Sequence, residues 1–240
     1  MIQIKSIAYD LEGTVINVEA AHHNGHIWAA RDIGLPLSLD ECLEKLPHFV
    51  GGPTDEVAKD ISRLAKTYGI NVNPNEVLER TNNHYKRLLK SSTIAPRQGF
   101  IDFFNFMRNG GIGYTIGSLT DEEEAELLLQ KSGLLDMFGS DNIVLREHVK
   151  NVKPAPDVWI ETARRANVNP SEQLIFEDSP RGILGAVKIG AYCIGMPVYN
   201  SHKVISDLIS AGAKRIFMNW DEINPTALLK NINTELEKCI

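Results

Sequence analysis

The chain has 240 residues, enough for one large domain or for a core carrying a smaller insertion, and its 43% hydrophobic residues suffice for a sizeable interior. A net charge of −6 excludes a general basic field for nucleic acid, and no apolar run approaches the ~20 residues of a membrane span. Cys42, Cys193 and Cys239 form no C-x-x-C pair, and the N-terminus runs into a strand containing Lys5, so the expectation is a soluble cytoplasmic protein with free thiols and no signal peptide.

The apolar alternation over residues 2–9 predicts a first β-strand, closed by Asp10-Leu11-Glu12-Gly13-Thr14. Three- and four-residue apolar spacing then predicts helices over residues 20–33, 38–46, 54–68 and 74–89, with cap chemistry from Thr54, Asp55 and Asn75. No convincing strand interrupts residues 17–91, so an all-helical block is inserted after the first strand. The expected division is a core of residues 1–16 and 93–240 and a helical cap of residues 17–92.

Beyond residue 93 helices and strands alternate. Helices are expected over 99–109, 120–132, 156–166, 180–190, 201–211 and 225–238, and strands over 112–118, 142–145, 173–176, 192–195 and 215–218. A Thr120–Glu123 capping box marks the second of these helices. Such alternation predicts an α/β fold: a parallel sheet wound with helices on both faces, its active edge at the carboxyl ends of the strands.

Those ends carry polar groups in turn. The first offers Asp10 and Glu12, the second Ser118, the third leads to Lys153, and the fourth to Glu177-Asp178-Ser179. The chemistry this set supports is phosphoryl transfer. Clustered carboxylates call for a cation, and oxygen ligands without His or Cys suit Mg²⁺. Charge so shielded lets Asp10 attack a phosphate monoester. Ser118 and N–H groups opening the helix expected at Thr120 are placed to hold phosphate oxygens, Lys153 to neutralise charge, and Glu12 to move the proton.

Asp10-Leu11-Glu12-Gly13-Thr14, the strand-ending Ser118, Lys153-Pro154-Ala155-Pro156-Asp157 and Phe176-Glu177-Asp178-Ser179-x-x-Gly182 resemble, in order and spacing, the four motifs of the haloacid dehalogenase superfamily. The resemblance implies a Rossmann-like core. Its inserted helical block is similar to the cap of β-phosphoglucomutase and phosphoglycolate-phosphatase relatives. It assigns Asp10 as nucleophile and Glu12 as acid/base, and places Leu11, Ser118, Leu119 and Lys153 at the phosphate. Asp10, Asp178, the Glu12 carbonyl and Glu177 would bind Mg²⁺. The loop at His48-Phe49-Val50-Gly51-Gly52-Pro53-Thr54 corresponds to one that reads substrate in such relatives, and His22 lies just past the first motif, near the hinge or mouth of the cap, so His22, His48, Gly51 and Gly52 form the expected cap set.

Glu12 departs from the Asp that most family phosphatases carry, and it argues against carbon–halogen and carbon–phosphorus cleavage, where relatives place Tyr and Ala. The expected substrate is a small phosphorylated metabolite, with no nucleic-acid or membrane partner and a monomer or homodimer. Two alternatives stand beside hydrolysis. A phosphomutase wants a cap cation; Lys45 lies near the loop, with no clear Arg. A binding protein without turnover would follow if the extra methylene of Glu12, worth about 1 Å, misplaces its carboxyl.

Other features read as structure. As a metal site His22, His23 and His26 are set aside, lacking an H-E-x-x-H pattern and a third ligand, while His22 or His23 remains placed to touch substrate. Gly111, Gly113 and Gly117 follow a helix and lead into a strand, the reverse of a dinucleotide fingerprint. Phe100, Phe103, Phe104 and Phe106 are expected to pack one helix against the sheet.

Overall fold

The computed structural model describes residues 3–237. Residue 2 of the expected first strand, Lys238 of the expected last helix and Cys239 lie outside them. The chain divides into two compact units, one of residues 1–17, 94–200 and 205–240, the other of residues 18–93 and 201–204.

The first unit is a six-stranded sheet: β1 (Ser6–Tyr9), β2 (Gly113–Gly117), β3 (Ile143–Val144), β4 (Gln173–Glu177), β5 (Tyr192–Gly195) and β6 (Arg215–Ile216). The order is β3-β2-β1-β4-β5-β6 and every pairing is parallel, the doubly wound order of a Rossmann-like fold. Ser-Ile-Ala-Tyr, Gln-Leu-Ile-Phe-Glu and Tyr-Cys-Ile-Gly are buried along their whole length, as parallel strands covered on both faces require.

Four helices come first in the chain: α1 (Glu19–Asp32), α2 (Leu39–Lys45), α3 (Thr54–Thr67) and α4 (Pro74–Ser91). Seven follow: α5 (Phe100–Asn109), α6 (Glu122–Ser132), α7 (Leu134–Phe138), α8 (Asp157–Arg165), α9 (Pro180–Lys188), α10 (His202–Ala211) and α11 (Pro225–Glu237). None of the described helices is long and apolar enough to cross a membrane.

Tyr9 is the centre of the core. Its ring lies 5.4 Å from Phe100, 5.7 Å from Trp220 and 5.9 Å from both Phe138 and Phe176. Phe100, Phe103, Phe104 and Met107 form the buried face of α5. Phe106 falls off that face at helical spacing and is 48% exposed, so it does not share the packing expected of it.

Register fixes the rim. Tyr9 pairs with Ile116 on one side and Phe176 on the other, so Asp10 emerges level with Gly117 and Glu177. Its N–H donates to the Phe176 carbonyl at 2.9 Å, and the Ser118 N–H donates to Val144 at 2.9 Å.

Several boundaries differ from the sequence reading. Asp121, not Thr120, caps α6: its side chain accepts from the Glu124 N–H at 3.0 Å, and the helix starts two residues late. Asn73 caps α4 by accepting from the Asn75 N–H, and α3 begins after Pro53 with no side-chain cap bond, so Thr54, Asp55 and Asn75 are not caps. The short α7, entered through Gly133 at φ 73°, carries too few residues to show a period.

Among the described residues the second unit contains α1 to α4, the first residues of α10 and no strand. α1 and α4 approach closely at Gly25, where a Cβ would stand 3.2 Å from the Thr81 carbonyl. His22 stacks on Tyr85 at 3.6 Å, His23 on Phe49 at 4.3 Å, and His26 Nδ1 lies 3.3 Å from Thr81 Oγ1.

Burial, helped by His22, pushes His23 down to about 3, and burial likewise lowers His26 far below its usual range. The unfolded chain therefore takes up protons from about pH 6.5 downward while the native unit does not. This contribution is fully present above pH 6.5 and is lost as pH falls. We expect about 2 kcal/mol of destabilisation from His23 between pH 7 and pH 5. Urea unfolding at those two pH values checks this; His23→Leu should flatten the dependence.

Candidate active site

Lys153 is the hub. Its Nζ donates to Asp10 Oδ1 at 2.5 Å and to Glu177 Oε2 at 2.7 Å, and it lies 3.5 Å from the Gly117 carbonyl. The ammonium also sits 4.5 Å from the centroid of the Trp159 ring, a cation–π contact. Two cations of α9 hold its backbone: Arg181 donates to the Lys153 carbonyl and Lys188 to that of Pro154.

Glu177, the last residue of β4, accepts three hydrogen bonds. Oε1 accepts from Ser179 N–H at 2.9 Å and Oγ at 2.8 Å, while Oε2 holds Lys153. The side chain packs against Gly182, where a Cβ would come within 1.7 Å of Oε2. Gly182→Ala must therefore displace Glu177 from Lys153. A stability loss of about 1–3 kcal/mol is expected with a fall in kcat, measurable by thermal unfolding and initial rates.

Asp178 is buried and accepts from Thr14 Oγ1 at 3.4 Å. Carboxylate oxygens of Asp10, Glu177 and Asp178 lie within 4.8 Å of one another, all buried. Burial, and then the charge of Glu177, push the Asp10 carboxyl well above its usual range. Burial pulls Lys153 down, but the Asp10 and Glu177 charges outweigh it and leave the ammonium above its usual range. One lysine thus sits in a cluster of three buried carboxylates, bonded to two of them. The surplus negative charge and the all-oxygen donor set fit a hard divalent cation. The Glu12 side chain stands outside this group.

The expected phosphate residues are placed as follows. Leu11 is buried and its carbonyl accepts from Val15 and Ile16 N–H groups. Ser118 Oγ lies 2.7 Å from Thr120 Oγ1 and accepts from the Thr120 N–H at 3.2 Å; Leu119 is half-buried between them. The amide groups of a helix opening at Thr120 are absent as such, because α6 opens at Glu122. Thr120 instead turns its hydroxyl to Glu12 Oε1.

Arg97 escaped the sequence reading. Its guanidinium donates to the carbonyls of Gly13 (2.5 Å), Met196 (2.9 Å), Pro197 (3.3 Å) and Met218. It ties the turn after Asp10 to the segments that follow β5 and β6. A lone Arg beside Pro96, where the chain re-enters the core, was the available signal.

His22, His48, Gly51 and Gly52 belong to the helical unit. His48 Nδ1 lies 2.9 Å from Asp60 Oδ2, and the His48 N–H donates to the same oxygen at 3.0 Å. Since a carboxylate only accepts, Nδ1 carries a proton and Nε2 is turned away from it. Gly51 has φ 67°, and a Cβ on Gly52 would stand 2.3 Å from the His48 carbonyl, so this turn needs both glycines. Arg63, on the same Asp60 at 3.1 Å, is a cation beside the loop that the sequence reading overlooked; Lys45 is paired with Glu41 at 2.8 Å.

A parallel α/β sheet whose strand ends gather carboxylates, a hydroxyl and a lysine on one rim defines an enzyme of the Rossmann-like class. The chain belongs to the haloacid dehalogenase-like hydrolase family, whose model matches residues 7–196. It is 28% identical over 191 residues to a fructose-1-phosphate phosphatase of Escherichia coli, covering 77% of this chain and 92% of that one. It is 22% identical over 237 residues to the β-phosphoglucomutase of Bacillus subtilis, covering 91% and 96%. A haloacid dehalogenase-like protein of Agrobacterium tumefaciens shares the fold with a TM-score of 0.83 at 20% identity, over 96% of this chain and 99% of that one.

Proposed function

We propose that the chain is a Mg²⁺-dependent phosphatase of small phosphorylated sugars or related metabolites, working through an aspartyl-phosphate at Asp10. The observation that carries this is the buried Asp10 carboxylate, held by Lys153 beside Glu177 and Asp178. Asp10 and Asp178 would hold the metal with the Glu12 carbonyl. Glu177, bonded to Ser179 and Lys153, would fix the lysine and could offer its Oε2 to the metal as well. Mg²⁺ bound there shields the carboxylates from an incoming phosphate dianion.

Asp10 attacks phosphorus, Lys153 and Ser118 neutralise and orient phosphate oxygens, and backbone groups at Leu11 and Leu119 complete the cradle. Glu12 protonates the leaving alcohol and then takes a proton from the water that hydrolyses the aspartyl-phosphate. We further assign the helical block of residues 17–92 as a cap on a core of residues 1–16 and 93–240. Its His22, His48, Gly51 and Gly52 would read the leaving group; the Asp60-fixed imidazole of His48 supports this.

A mutase reading would need a cap cation for a second phosphate, and Arg63, exposed beside Asp60, is the candidate for it. The test is phosphate release from a panel of sugar, polyol and nucleoside phosphates and phosphoglycolate, with Mg²⁺ and with EDTA. Turnover that depends on Mg²⁺ is expected. No Mg²⁺-dependent release from any member would overturn the hydrolase reading, and interconversion of hexose 1- and 6-phosphates without release would favour the mutase.

A further inference from the structure

Glu12 brings a side chain one methylene longer than the Asp that most family phosphatases use, and the structure shows where that extra reach goes. Thr120 donates its hydroxyl proton to Glu12 Oε1. A hydroxyl has one proton to give, so the 2.7 Å contact with Ser118 Oγ runs the other way, from Ser118 to Thr120. The Thr120 N–H then returns to Ser118 Oγ at 3.2 Å.

Thr120 is free for this because α6 does not use it. Asp121 caps the helix, and the Thr120 carbonyl accepts from the Arg146 N–H at 3.2 Å, which anchors the residue against the segment after β3. Its β-branched side chain has few rotamers to lose. The hydroxyl is thus held at a fixed place between the second strand's serine and the end of Glu12.

The geometry points to Thr120 as the positioning residue for the acid/base Glu12, matched to the length of that side chain. This rests on the hydrolase reading for its kinetic consequence, though the contact itself does not. Asp at position 12 is shorter by one methylene, about 1 Å of reach, and does not reach Thr120. The Thr120 hydroxyl therefore positions the acid/base side chain only in a Glu-bearing site, and in an Asp-bearing one it keeps just its contact with Ser118. A residue with a merely structural role would matter equally in both.

A double-mutant cycle with Thr120→Val and Glu12→Asp separates the two. In the Glu12 protein, Thr120→Val should lower kcat about 10-fold or more with little change in KM, and Thr120→Ser should restore most of it. In the Glu12→Asp protein, the same Thr120→Val should cost less than about 3-fold. Equal losses in both backgrounds would overturn the proposal. A second readout needs no turnover: with carboxyl-¹³C glutamate, the signal that disappears in Glu12→Asp should move in Thr120→Val and stay in Thr120→Ser. An unmoved signal would overturn the contact. If the unmodified protein hydrolyses nothing, the hydrolase reading fails and this spectrum alone decides Thr120.

Discussion

Lys153→Met is expected to remove about 3–5 kcal/mol of folding stability together with measurable turnover. The lysine bonds Asp10 and Glu177 at once, and all three are buried. Methionine fills the space and keeps the contact with Trp159 but brings no charge. It leaves the carboxylates of Asp10, Glu177 and Asp178 within 4.8 Å of one another without the ammonium between them. Removing one partner of a buried ion pair costs far more than the pair itself contributes, because the remaining charges stay desolvated. Urea unfolding in EDTA measures the loss. A change below about 1 kcal/mol would mean that the cluster is better solvated than its burial indicates.

Asp10→Asn should behave in the opposite way towards stability. Its turnover should fall about 10⁴-fold or more, since an amide is not a competent nucleophile here. Its fold should hold, or gain. Burial and Glu177 raise the Asp10 carboxyl above its unfolded value, so ionising it costs the native state. The sign follows from linkage: with a raised native value, stability falls as pH rises through the unfolded value of about 3.9. At neutral pH in EDTA the amide should thus be at least as stable as the acid, and the two should converge below about pH 4. Rates and unfolding curves of the same preparations test both halves. A folded, inactive Asp10→Asn beside a destabilised Lys153→Met is the pattern that a charge cluster built around one lysine predicts.

Much of this was legible in the sequence because two different periods carry it. Strands of the core are buried on both faces and read as short apolar runs, while α1 to α4 repeat at helical spacing with glycine breaks between them. The polar residues closing β1, β2 and β4 stood out because each follows an apolar run. The placement of Asp10, Glu177 and Asp178 together needed only parallel strands in register, whereas Lys153 reaches them from the segment between β3 and α8.

What stayed hidden depends on contacts between distant segments. Thr120 looked like a helix cap by its spacing to Glu123, but Asp121 offers the same chemistry one residue later and takes the role. Only the fold shows Glu12 reaching across from β1 to use the hydroxyl left over. Arg97 bonds carbonyls of Gly13, Met196, Pro197 and Met218, and backbone acceptors leave no mark in a sequence. Asp60 was invisible as the partner of His48 because it lies twelve residues on, inside α3, while His48 stands in the loop before it.

The central claim is that Asp10 carries the phosphoryl group, and acid quenching during turnover tests it most directly. Peptide mass analysis of the quenched protein should find one phosphoryl group on the peptide holding Asp10. The label should require Mg²⁺ and be absent from Asp10→Asn. Sustained phosphate release with Asp10 unlabelled, or a label that survives in Asp10→Asn, would contradict the account.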